Sequence, residues 1–196
     1  MIIPRLIAAV QLPVCLMCVM VCGNAMAQAK PAAAAAHSHG GARLTIAVDA
    51  NTVTLEFGSP LENLLGFEHA PRNDRQKAAV QRMSELLQKA DRLFIPSAAA
   101  QCVLQSARFD SPVLVAEKGA AARSGGAAHA GHGAADGHAD IDGNIVFRCE
   151  RPGQLRDLDV MLFDSFPGVK RIDVQIAGAR GQKSLRLSAG ARRAAW

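Results

Sequence analysis

The sequence predicts an α+β domain: an antiparallel β-sheet, hairpin-rich and sandwich-like, with one long packed helix and a disordered His-rich loop. Three observations lead there. Alternating apolar stretches recur roughly every twelve residues, separated by Gly, Pro and Asn, as antiparallel strands do. A single segment, 74–94, carries apolar residues at spacings of three and four. Between the last two cysteines, residues 118–137 are Ala, Gly, Ser and scattered His with no period at all.

The chain opens with Leu6–Val21, an almost unbroken apolar run in which Arg5 is the one charge before Lys30. Ala25-Met26-Ala27 supplies small residues for a signal peptidase, so residues 1–27 read as a signal peptide cleaved before Gln28. Pro13 and the lack of a basic stop-transfer flank argue against a spanning helix. Val19-Met20-Val21 lacks the small residues that a lipid anchor at Cys22 requires, so no stable membrane anchor is expected. Export leaves about 169 residues, enough for one domain with a real core. Residues 28–41 form a flexible N-terminal segment, and 42–196 the single domain, with its His-rich loop at 118–142.

Cys15, Cys18 and Cys22 leave with the signal. Cys102 and Cys149, the two that remain in an exported chain, most simply form one disulfide. The formal charge of +5 is spread over dispersed arginines, and tyrosine is absent. Without a basic stripe interleaved with aromatics, the charge reads as solubility, and nucleic acid is excluded as a partner.

Gln28–Ala36 is a tether of Pro31 and five alanines, followed by His37-Ser38-His39-Gly40-Gly41. Leu44, Ile46 and Val48 alternate in Arg43–Asp49, and Val53, Leu55 and Phe57 in Thr52–Phe57. Asp49-Ala50-Asn51 between them is turn chemistry, which predicts a hairpin. Gly58-Ser59-Pro60 ends it, and a compact apolar segment, Leu61–Pro71, ends on Glu68 and His69. Asn73 then caps the helix, with Gln76 in the capping-box position. Val80, Met83, Leu87 and Ala90 form its apolar face, Arg75, Arg82 and Lys89 its outer face, and Pro96 stops it. Cys102–Phe109 reads as a strand, with Val113–Ala116 a brief extension of the sheet. Pattern returns at Ile145–Cys149, Leu158–Phe163, Lys170–Ala177 and Ser184–Ser188.

All six histidines follow the signal, at positions 37, 39, 69, 129, 132 and 138. Neutral imidazole with carboxylate help suits Zn2+, with Ni2+, Co2+ or Cu2+ as the other divalent options. Met83 and Met161 stand in core-like positions, which disfavours Cu(I). His129 and His132 sit in Gly/Ala-rich chain, where holding a metal costs conformational entropy; they read as a weak lure. His138 and Asp140 stand where strand pattern resumes, and in an extended backbone would project the same way. With His69 and one of His37 or His39 they would complete three nitrogens and one oxygen, a tetrahedral zinc set. Because neutral imidazoles ligate, capture would weaken as pH falls through about 6.5, the reference histidine value.

Four segments also carry a resemblance. They are His37–Asp49, read as His-x-His-Gly-Gly-Ala-x-Leu-x-Ile-Ala-Val-Asp; Ser59–Pro71; His138–Asp142 before Phe147-Arg148-Cys149; and Leu162–Pro167. In this order they resemble the ZrgA-type periplasmic zinc-uptake proteins over nearly the whole exported chain. The resemblance implies an exported, non-enzymatic zinc binder with a His-rich insertion between its cysteines, handing zinc to an inner-membrane importer. Carried over by position, the implied ligands are His37, His39, His69, His138 and Asp140, with His129 and His132 in the variable loop. The loop departs from the pattern by being short, with two histidines before His138.

Two other classes compete. A zinc hydrolase would use Glu68 beside His69 as base, but no His-Glu-x-x-His helix exists. An exported structural or interaction domain with incidental histidines is the third reading. The sequence leaves the oligomeric state, the affinity and the importer open.

Overall fold

The computed structural model describes residues 39–114 and 139–196. The expected signal peptide, the tether with His37, and the loop carrying His129, His132 and His138 lie outside the described residues.

The predicted hairpin forms from β1 (Gly41–Asp49) and β2 (Thr52–Pro60). They pair antiparallel from Asp49↔Thr52 to Arg43↔Gly58, around a turn in which Ala50 takes a left-handed φ of 48°. A short helix, α1 (Glu62–Leu65), follows, then α2 (Asp74–Leu87), α3 (Ala90–Leu93) and β3 (Phe94–Pro96). Next come β4 (Cys102–Asp110), β5 (Asp140–Cys149) and β6 (Asp157–Val160). Helix α4 (Leu162–Ser165) precedes β7 (Arg171–Gly178), β8 (Gly181–Ser188) and β9 (Arg193–Ala195).

Two sheets result. The larger runs β4-β5-β2-β1-β7-β8 and the smaller β3-β6-β9. Every pairing is antiparallel except β1 with β7, which run parallel from Gly41↔Arg171 to Val48↔Gly178. The α+β class with an antiparallel-dominated, sandwich-like arrangement is therefore the observed one.

Period-two alternation decides which face of the large sheet is buried. Leu44 and Ile46, Val53 and Leu55, Ile145 and Phe147, and Val174 and Ile176 all point into the core. Val80, Met83 and Leu87 of α2 join the same core, as their spacing predicts, together with Leu158 and Val160 of the small sheet. Phe57 and Phe94 meet edge to face across it, with ring centroids 6.2 Å apart.

Several expectations are corrected. The helix expected over 74–94 breaks after Leu87, because Lys89 leaves helical geometry (φ −97°, ψ 49°). Beyond the break Ala90, Leu93 and Phe94 are all buried, and Phe94 continues as strand β3 instead of helix. Residues 112–114 form a helical turn rather than an extension of the sheet, with Leu114 N–H donating to Ser111 O at 3.0 Å. The strand expected over Leu158–Phe163 ends at Val160, and Leu162 and Phe163 are buried in α4 instead.

Cys102 and Cys149 are directly opposed in the β4–β5 ladder, Cα atoms 3.8 Å apart, and form the expected disulfide. Among the described residues no helix is long and apolar enough to cross a membrane.

Candidate metal-capture site

Asn63 of α1 is the residue on which the site is mounted. It is buried, at 5% exposure, and polar, so its amide must find partners. Its Oδ1 accepts the Gly40 N–H at 2.7 Å. Its Nδ2 donates to the Gly41 carbonyl at 2.9 Å and to Ser59 Oγ at 3.1 Å. The Gly40 carbonyl in turn accepts the N–H groups of Lys170 and Arg171 at 2.8 and 2.9 Å. Gly168 closes the clamp: a Cβ there would stand 2.3 Å from the Asn63 carbonyl oxygen, so only glycine lets the two backbones meet. The backbone immediately after His39 is thereby held on both sides.

His39 itself is solvent-facing, and its Nδ1 lies 2.7 Å from Glu62 Oε2. The side chains are 80% and 42% exposed, so the pair adds little to stability; its consequence is orientation. A carboxylate accepts only, so Nδ1 carries the proton and the Nε2 lone pair is left for a metal. His69 repeats the arrangement. Its Nδ1 is 2.9 Å from the Ala70 carbonyl, again an acceptor only, and its ring stacks on Phe67 with centroids 5.2 Å apart. In the neutral form of either ring Nε2 is then the nitrogen that carries the lone pair, the orientation that zinc ligation requires. The donor chemistry fits Zn2+ as cargo.

The third segment reaches the same junction. Leu61 N–H donates to the Ala139 carbonyl at 2.8 Å, and Pro60 pairs with Asp140 in the ladder. The residue after His138 in sequence is thus hydrogen-bonded beside Glu62, the partner of His39.

Asp140 and Asp142 project from the solvent face of β5 into a cavity of about 420 Å³, shared with Arg43, Arg171 and Asp173. Across the strands one row runs Asp110, Asp142, Gly58, Arg43, Asp173, Arg186. Gly58 leaves room for Arg43 to reach toward Asp142; a Cβ would meet Arg43 Nη2 at 2.9 Å and Asp142 Oδ1 at 3.2 Å. Burial pushes the Asp142 carboxyl above its usual range, the neighbouring Asp140 adds to this, Arg43 opposes it, and Asp110 adds again. Asp173 is held below the usual range by its hydrogen bond from Arg186 (2.7 Å) despite some burial.

Among the described residues no three His, Cys, Asp or Glu side chains converge as a metal cluster. His39 is brought to Glu62, His69 is held on the α1–α2 connection by Phe67 and Ala70, and Asp140 lines the cavity beside Asp142. His37, His129, His132 and His138 lie outside the described residues. Glu62 is the residue of the candidate site that spacing missed. It is 23 positions from His39, and only the packing of α1 over the start of β1 makes it a partner.

No curated protein matches the chain. The model of the ZrgA family zinc uptake proteins matches residues 36–196, from just ahead of His37 to the last residue. That range takes in Asn63, Glu62, His39, His69, Asp140 and both disulfide cysteines, and the chain belongs to the ZrgA family of zinc uptake proteins.

Proposed function

We propose that this chain is an exported, periplasmic accessory protein that captures Zn2+ through histidine and aspartate side chains and passes it to an inner-membrane importer. Residues 1–27 serve as its signal peptide, and 42–196 as the zinc-binding domain. The ordered site draws on His39, His69, His138 and Asp140, with His37 as a further donor, while His129 and His132 offer a weaker first contact. The chain acts as a carrier and not as an enzyme.

The observation that carries this reading is the shared orientation of His39 and His69, each with Nδ1 tied to an oxygen and Nε2 left as a base. A solvent-exposed imidazole serving only as a surface group has no need of a fixed tautomer. The meeting of the His39 segment and Ala139 at Leu61-Glu62 supports the reading for those two segments.

A titration of residues 28–196 with Zn2+ against a competing chelator tests it. Near-stoichiometric binding at neutral pH is expected, with His39→Ala, His69→Ala and His138→Ala each weakening it at least about tenfold. Absence of competition with the chelator, or variants that all bind like the parent, would sink the proposal.

A further inference from the structure

A second cavity, of about 570 Å³, lies at the far end of β1 from the histidine junction, between the β7–β8 turn and the chain's last residue. Its apolar lining comes from Val48, Leu155, Ile176, Pro152 and Trp196. Its charged side chains are of one sign: Arg156, Arg180 and Lys183, with no acidic side chain among the described lining residues.

Two of these cations donate to backbone carbonyls, which are neutral acceptors. Arg180 Nη2 donates to the Leu155 carbonyl at 3.0 Å, and Lys183 Nζ to the Ala195 carbonyl at 2.6 Å. A neutral carbonyl satisfies one N–H but not the charge, so a guanidinium and an ammonium retain unused donors. The same bonds fix both heads, which lowers the entropy cost of binding an anion. Trp196 is held too, its N–H donating to the Arg156 carbonyl at 3.1 Å. Three cationic side chains thus stand together beside apolar surface.

We propose that this cavity binds an amphipathic organic anion, a carboxylate or similar head on a compact apolar body. The volume is that of a small-molecule site, roughly 300–1,000 Å³. Apolar lining takes the body, and the Arg156, Arg180 and Lys183 heads take the charge. The site is separate from the zinc donors and does not depend on them.

Trp196 is the chain's one tryptophan and tyrosine is absent, so tryptophan emission reports on this cavity alone. The test titrates the full protein with octanoate, octylammonium and acetate while following that emission. Octanoate should give a saturable shift; octylammonium, of the wrong charge, and acetate, lacking the body, should give none over the same range. Lys183→Gln and Arg156→Gln should each weaken octanoate about tenfold, the loss of one charge-assisted contact, with melting curves confirming the fold. Arg180→Gln and Lys183→Gln also remove the bonds to Leu155 and Ala195, so Arg156→Gln carries the test where they unfold. A flat octanoate titration, an equal response to octylammonium or to acetate, or folded variants that bind like the parent would each overturn the proposal.

Discussion

Asn63 shows how one buried amide can decide where a surface histidine sits. Replacing it with Ala strands the Gly40 N–H and the Gly41 carbonyl, each at about 1–3 kcal/mol where water cannot reach. Asn63→Ala is therefore expected to lower stability by about 2–4 kcal/mol in urea unfolding and to weaken zinc capture, since His39 loses its mount. Gly168→Ala attacks the same clamp sterically, its new Cβ falling 2.3 Å from backbone that cannot rotate away. A cost of about 1–3 kcal/mol is expected, as for overpacking elsewhere. Gly153→Ala is the control: its Cβ would enter open space, and the midpoint should hold or rise slightly. Equal losses for the two alanines would refute the clamp. The metal-ligating residue types were legible in the sequence because chemistry restricts them to a few side chains. Glu62 was not, because a carboxylate at a helix start has an ordinary role there, and only the packing at Gly40 brings His39 to it.

At the scale of elements, two ties hold the outer strands, and they respond to different reagents. The disulfide joins β4 to β5 across a separation of 47 residues. In the chain-entropy model a loop of that size is worth about 4 kcal/mol, so Cys102→Ser with Cys149→Ser should lower the urea midpoint by a corresponding amount. An unchanged midpoint would place β4 under other control. The β6–β9 pair is tied by Arg193, whose Nε and Nη2 donate to Asp159 Oδ1 and Oδ2 at 2.8 and 2.9 Å. That hydrogen bonding holds the Asp159 carboxyl below its usual range. The folded state therefore binds this proton less readily than the unfolded one, and the contribution exists above the unfolded value of about 3.9 and is lost as pH falls through the lower folded one. Asp159→Asn should melt slightly below the parent at neutral pH, with the gap closing in strong acid; a gap that widens in acid contradicts the assignment. Long strands were legible because alternation over eight or nine residues is hard to mistake, as in β1 and β7. The three-residue strands β3 and β9 carry too few positions to show a period. Helix α2 announced its start through Asn73, whose side chain accepts the Gln76 N–H at 3.0 Å. Its end has no glycine or proline at Gln88-Lys89 to announce it, and the apolar spacing runs on through Ala90 and Phe94.

For the whole molecule, what no local pattern could reveal is the parallel pairing of β1 with β7, two strands more than a hundred residues apart in sequence. That pairing puts Lys170 and Arg171 against Gly40, and so makes the beginning of the domain depend on its last third. The β4–β5 pairing is local by comparison, because β5 is the next of these strands after β4 and Asp110 faces Asp142. The ladder closes with Asp110 on Asp142 at one end and the disulfide at the other, and Ala139 is held by Leu61; none of these ties uses residues 118–137. Replacing 118–137 with a short Gly-Ser linker should therefore leave the fold intact. Loop-closure entropy favours the shorter connection by about 0.6 kcal/mol for each halving of its length, so the melting temperature should hold or rise. Zinc binding separates the two roles assigned to the histidines. With His129 and His132 gone and His138 kept, the tightest site should retain its affinity against a competing chelator while the total zinc bound in excess metal falls. Loss of the tight site with the loop would mean that His129 and His132 are the principal ligands, and that the junction at Glu62 only positions the strands.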